Sequence, residues 1–247
     1  MKKVFYVLVI LIYSLSGCKD NKVTNPIIEG SGSISSIEGK LVDWKLAGSY
    51  HLNLQYRDLT SVWSITSQTC SSAKIDTNGS FKLTNFINVV DSLLIPSRSY
   101  EYDSTIKILE NTVTDSDPSA KGTIGFINII DDTTKMAVAG VYRLNFVHTS
   151  FNLRTFITSP GEFITNLIYR NKDQVITGKF KYERSDVHTL STTTQNYNLN
   201  YKKGWNKAVT LLVSRTIEND GTRIIIKEEF SYSNIEPGPA DWYYFMY

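Results

Sequence analysis

A chain of 247 residues with 26 basic and 24 acidic side chains has almost no net charge to set against a polyanion, and a nucleic-acid binder needs a basic face to displace counterions from phosphate. Two cysteines exclude a disulfide-stapled framework, and a chain of this length buries enough surface to be stable without cross-links. Thr, Ser, Ile, Val, Tyr and Phe are abundant, the residue set of pleated, half-buried surfaces, and no stretch longer than two turns carries a 3.6-residue apolar period, which excludes a helical bundle.

The first element is an address. Met1-Lys2-Lys3 supplies positive charge, and Val4 to Tyr13 is an uncharged, mostly apolar run. That run is too short to span the roughly 30 Å hydrocarbon core of a bilayer, which takes about 20 helical residues, but it has the length of a signal-peptide apolar region. Leu15-Ser16-Gly17-Cys18 follows, with small residues before the cysteine that let a protease reach the backbone. In this order the parts resemble the lipobox signal peptides of bacterial lipoproteins. The resemblance implies that residues 1–17 are removed, that the Cys18 thiol is diacylated, and that the new amine is acylated. Two or three acyl chains, at about 0.8 kcal/mol per buried CH₂, hold a protein on a membrane where one does not. Lys19-Asp20-Asn21 is similar to part of the surface-export signal of some Gram-negative lipoproteins. The expected location is therefore the outer membrane, lipid-anchored and facing outward, with a periplasm-facing anchor as the alternative. Loss of residues 1–17 also removes Lys2 and Lys3, leaving acids and bases equal in number.

Residues 18–30 read as an extended lipidated tether, since Pro26 and its polar neighbours oppose regular structure. A strand pattern runs from Ser31 to Trp44. Tyr50 to Tyr56 alternates, with Tyr50, Leu52, Leu54 and Tyr56 on one face. Ser61 to Thr66 around Trp63 is a further strand. Asn78-Gly79, between two alternating stretches, predicts a type I′ hairpin. Val89 to Ile95 and Thr105 to Leu109 are short strands. Gly39-Lys40-Leu41 together with Asp76-Thr77-Asn78-Gly79-Ser80-Phe81 resembles the carboxypeptidase regulatory-like family of small β-sandwiches. That resemblance implies a core position for Phe81 and a structural or binding module without chemistry of its own.

Asn111 to Gly122 is polar and contains Pro118. It is the best boundary, giving a linker at 113–118 between a β-sandwich at 31–112 and a second at 119–247; one larger sandwich across both halves is the alternative. After it, strand patterns resume over 123–130, 136–147, 151–157, 162–170, 174–182, 196–201 and 205–213. A hairpin is predicted at Asp220-Gly221 within 217–229. Val175 to Tyr182, followed by Tyr197 to Asn206 with its Gly204-Trp205-Asn206 turn, resembles a group of bacterial lipoproteins with no established activity. The fold class expected is all-β: antiparallel β-sandwich, in two modules.

Chemistry is sparse. His51, His148 and His188 lie far apart and lack metal-ligand spacing. Asp76-x-Asn78-Gly79-Ser80 lacks the closing acid of a calcium loop. Asp131-Asp132 and Glu228-Glu229 do not converge as glycosidase acids, since adjacent side chains on a strand face opposite ways. No G-x-S-x-G elbow occurs. No metal, cofactor or enzyme activity is expected. Cys70 reads as a small buried apolar side chain. The aromatic excess suggests ligand stacking, with Trp205, Trp63 and Trp242 as candidate ligand-binding rings for a glycan or protein. The alternating Tyr243, Phe245 and Tyr247 resemble the closing strand of an outer-membrane barrel, but charges on both faces of Lys179 to Arg184 oppose a barrel, and the segment reads as a core strand. Three functions follow: a surface binding or adhesion module, a structural or assembly lipoprotein of the envelope, and a hydrolase with a dispersed Ser, His and Asp site.

Overall fold

The computed structural model describes residues 33–57, 67–96, 106–148 and 156–247. Cys18, the signal and tether at 1–30, the strand expected around Trp63 and most of that expected at 151–157 lie outside the described residues. In chain order the strands are β1 (Ser36–Lys40), β2 (Tyr50–Arg57), β3 (Ser67–Lys74), β4 (Ser80–Thr84) and β5 (Ile95–Pro96). Then come β6 (Ile106–Asn111), β7 (Thr114–Asp115), β8 (Lys121–Asp131), β9 (Ala137–Leu144) and β10 (Phe163–Arg170). The last are β11 (Gln174–Ser185), β12 (Thr189–Tyr201), β13 (Gly204–Asn219), β14 (Ile224–Ser233) and β15 (Asp241–Met246). The protein is all-β, as its composition requires.

One long sheet runs β3-β2-β8-β9-β10-β13-β14-β12-β11-β6, with β15 on the edge of β9; β1 and β4 form a separate pair. The middle of β2 shows why the strands form. Leu52, Leu54 and Tyr56 are buried on one side, while His51, Asn53 and Gln55 point to the other, the alternation that a half-covered sheet demands. The β1–β4 pair lies over that apolar side. Ile37, Phe81 and Leu83 close a core with Leu52, Leu54, Ile127, Ile129, Val141, Trp205 and Trp242. A second core, of Val113, Ile168, Ile176, Phe180, Tyr197, Leu199, Tyr201 and Tyr232, forms on the opposite face, where the sheet curls back on itself. Among the described residues β3 and β6, the two ends of the path, do not pair with each other, and the path stays open.

Two sequence expectations change. Asn78-Gly79 closes a tight reverse turn, with the Asp76 amide donating to the Ser80 carbonyl at 2.9 Å, but the strands it joins make their ladders elsewhere: β3 pairs with β2, and β4 pairs with β1. The Gly79 amide donates to the Asp76 carbonyl at 2.8 Å, and Gly79 alone takes positive φ, at 87°, so the turn is not type I′. A Cβ on Gly79 would sit 2.7 Å from that of Trp44. The close approach of Trp44 leaves no room there for a side chain.

The two-module division also fails. β2 pairs with β8, and β6 pairs with β11, so both halves share one sheet. The expected linker at 113–118 contains β7, which pairs with β11, and Val113 is buried in the second core. Its polar composition is turn chemistry: Asn111, Asp115 and Asp117 each accept a hydrogen bond from the amide two residues on. The single larger sandwich is the better description.

The Gly204-Trp205-Asn206 turn closes β12 onto β13 through Asn206. Its amide donates to the carbonyls of Lys202 and Gly204 and accepts from the Lys202 N–H. Beyond the turn the strands part, and β14 enters between them, antiparallel to β13 and parallel to β12. That one parallel pair departs from the antiparallel expectation. The predicted Asp220-Gly221 hairpin joins β13 to β14, with Gly221 at φ 88°. Where β14 stops, Asn234 continues the ladder with its side chain, accepting from Asn200 N–H and donating to Lys207 C=O at 2.7 Å.

Candidate binding face

Among the described residues, the section β3-β2-β8-β9-β15 is covered by β1–β4 on one side only. On the other side Ile124 packs against the second core, but two residues further along β8 that cover ends, and Phe126 is 41% exposed. The register fixes what lies beside it. Gln55 stands opposite Phe126, and Asn53 opposite Asn128. Asn128 faces Gly140, Gly140 faces Phe245, and Tyr142 faces Tyr243.

These side chains form a ladder across the strands. Gln55 Nε2 donates to Thr69 Oγ1 at 3.4 Å, and Asn128 Nδ2 donates to Gln55 Oε1 at 2.8 Å. The Tyr247 hydroxyl donates to Asn128 Oδ1 at 2.7 Å. Each amide NH₂ carries a second hydrogen beyond its ladder bond. Asn53 Oδ1 lies buried beside the ladder without a hydrogen-bond partner among the described residues. Tyr142 and Phe245 lie with centroids 5.8 Å apart, and Tyr247, 75% exposed, covers their margin. Burial raises the phenol pKa of Tyr142. Burial, with the neighbouring Tyr142 phenol adding to it, raises that of Tyr247, so both rings stay neutral. The side chains of Thr69, Asn53, Gln55, Phe126, Asn128, Tyr142, Phe245 and Tyr247 are therefore uncharged amides, hydroxyls and rings on one face.

The expected tryptophans are elsewhere. Trp205 is 3% exposed, edge-on to Tyr169 at 5.5 Å and against Gly125, where a Cβ would meet its ring at 2.7 Å. Trp242 is 7% exposed, wedged between Phe81 and Gly39 with Arg143 over its ring. Both sit at strand positions that point under β1–β4, so neither presents a face to a ligand. Trp63 lies outside the described residues. β15 has one face in the core and one outside it, with a bridge from Leu41 on its outer edge: Trp242 and Tyr244 turn inward, and the alternating Tyr243, Phe245 and Tyr247 turn to the open face. The complementary polar face of β2 was readable from its alternation; Phe126 and Tyr142 carried no signal until pairing put them beside it.

Ser49, His51 and Asp132 do meet, at one end of this face. Both the Ser49 hydroxyl and His51 Nδ1 contact the Asp132 carboxylate, and the Ser49 hydrogen bond is the chief cause holding Asp132 below the usual carboxylate range. The hydroxyl gives its proton to the carboxylate, not to the imidazole, so the order needed to activate a serine nucleophile is absent from this cluster. His148, Thr158 and Glu162 form a second cluster, in which Glu162 Oε2 accepts from the amides of Thr158 and Ser159 at 2.7 and 2.8 Å. Its role is to fasten the turn before β10. Among the described residues no group of three or more His, Cys, Asp or Glu side chains is arranged to hold a metal. Cys70 is 1% exposed, and burial pushes its thiol up to about 12.

No protein family, curated protein or solved structure matches the chain.

Proposed function

We propose that the protein is an envelope lipoprotein, held on the outer membrane through acylated Cys18 and facing outward, whose folded part is a binding module for a neutral glycan. The observation that carries the binding reading is the hydrogen-bonded ladder Thr69–Gln55–Asn128–Tyr247, with exposed Phe126 at its side. Sugars present hydroxyls at their rim and C–H groups on their faces. Amides match the first, and aromatic rings match the second at small entropic cost. The lack of charge on the face matches a ligand without charge.

The test is retardation of the folded protein on immobilised neutral polysaccharides, with N128A and Y247A as variants. Loss of retardation in both, with thermal unfolding unchanged, supports the reading; retardation that survives both sinks it. Protease shaving of intact cells, with Cys18→Ala as control, tests the address. Resistance until the outer membrane is opened leaves the periplasm-facing alternative.

One observation favours an assembly role as the second reading. The edge strand β6 exposes the consecutive Ile108 and Leu109, at 45% and 42%, at the bulge in its pairing with β11, and an apolar edge invites a partner strand. Photo-crosslinking from position 109 in cells separates the two, since a glycan binder gives no protein adduct there.

A further inference from the structure

The ligand class can be narrowed further, on the condition that the glycan reading holds. The open face is divided across the strands. Hydroxyls and amides come from Thr69 on β3, Asn53 and Gln55 on β2, and Asn128 on β8; rings come from Tyr142 on β9, Phe245 on β15 and the adjacent Tyr247. Phe126 stands at the junction, opposite Gln55. β3 and β15 are four strand spacings apart, about 19 Å at about 4.8 Å per spacing, which is several sugar rings in a row. Gly140 keeps the middle low. The Tyr142 ring lies over it, with atoms 3.1 to 3.4 Å from where a Cβ would be, so the ring lies against the sheet instead of standing up as a wall.

We infer that the face grips an internal stretch of an extended neutral polysaccharide laid across the strands, its hydroxyl edge on Asn53, Gln55 and Asn128 and its ring faces on Phe126, Tyr142 and Tyr247. A reader of chain ends needs a wall that stops the sugar. Along the row Asn53–Asn128–Gly140–Phe245 the described side chains form a floor instead. Among the described side chains, Lys74 and Asp132 stand at the strand ends, off this row.

The experiment is calorimetric titration of the folded protein with neutral gluco-, manno- and xylo-oligosaccharides of two to six units, each free and with the reducing end blocked. In the series that binds, affinity should climb about tenfold from two units to four, as one further stacking contact gives, and then level off. Blocking the end should leave it unchanged. F126A and Y142A should flatten the dependence on length while keeping the weak binding of the dimer. Full affinity for the dimer, or loss of binding on blocking the end, overturns the internal-chain inference and leaves the glycan reading standing. Failure of every neutral series overturns both.

Discussion

Tyr142 lies over Gly140: were Gly140 an alanine, its Cβ would sit 3.1 Å from the tyrosine ring. The part-buried ring borders the open face and can swing outward, so Gly140→Ala should change stability by no more than about 1 kcal/mol, the loss of glycine entropy in the unfolded chain offsetting the crowding. Glycan affinity should fall nonetheless, because the displaced ring no longer lies against the sheet. Thermal unfolding read beside polysaccharide retardation checks this; unchanged retardation would remove Tyr142 from the binding face.

Trp205→Ala separates a core ring from a binding ring. The indole fills the space between Tyr169, Leu54 and Gly125, and its removal leaves a cavity that costs about 3–5 kcal/mol. Urea denaturation should show that loss in full. In the folded fraction, glycan retardation should match that of the parent chain.

Asn234 stitches β12 to β13 past the end of β14. Asn234→Ala removes both of these hydrogen bonds from a buried seam, at about 2–3 kcal/mol. Hydrogen exchange at the Asn200 amide should accelerate well beyond the exchange of the β2 and β8 amides, because the opening is local.

Glu236 accepts from Arg143 Nε and Nη2 at 2.7 and 2.8 Å and from Thr165 Oγ1 at 2.9 Å. Burial works against its ionisation, but these donors together with Lys207 outweigh it and hold the carboxyl below the ordinary glutamate range. A depressed carboxyl contributes stability that is present above its unfolded pKa and is lost as pH falls through its folded one. Glu236→Gln should therefore cost about 2 kcal/mol at neutral pH. The gap to the parent chain should close in acid below the glutamate range; a gap independent of pH would mean that packing, not charge, is what the substitution removes.

Cys70, with its thiol pushed up to about 12 by burial, holds almost no thiolate at neutral pH and no path to reagent. With Cys18 acylated or replaced, a maleimide should leave the native protein unlabelled and modify one site in urea. Labelling of the native state would place Cys70 at the surface.

Much of the local structure was legible from side-chain alternation. Leu52, Leu54 and Tyr56 announce one face of β2, and Asp220-Gly221 announces the β13–β14 hairpin. What misled was chemistry with two uses. Asn111, Asp115 and Asp117 look like a linker, because turn residues inside a sheet and residues between domains share a composition; Asn78-Gly79 looks like a hairpin, because a turn does not say which strand the chain will join. Trp205 and Trp242 looked like binding rings, yet large apolar rings are the side chains a core gains most by burying.

The amino-acid sequence by itself determines the all-β class, the near-neutral charge and the period-two strands, since each depends only on side chains and their immediate neighbours. Tertiary structure decided the rest. Pairing of β2 with β8 and of β9 with β15 brought Asn53, Gln55, Asn128, Tyr142 and Tyr247 together from segments up to 194 positions apart. That union is set by sheet order, and sheet order is a property of long-range hydrogen bonds and burial that no local pattern contains.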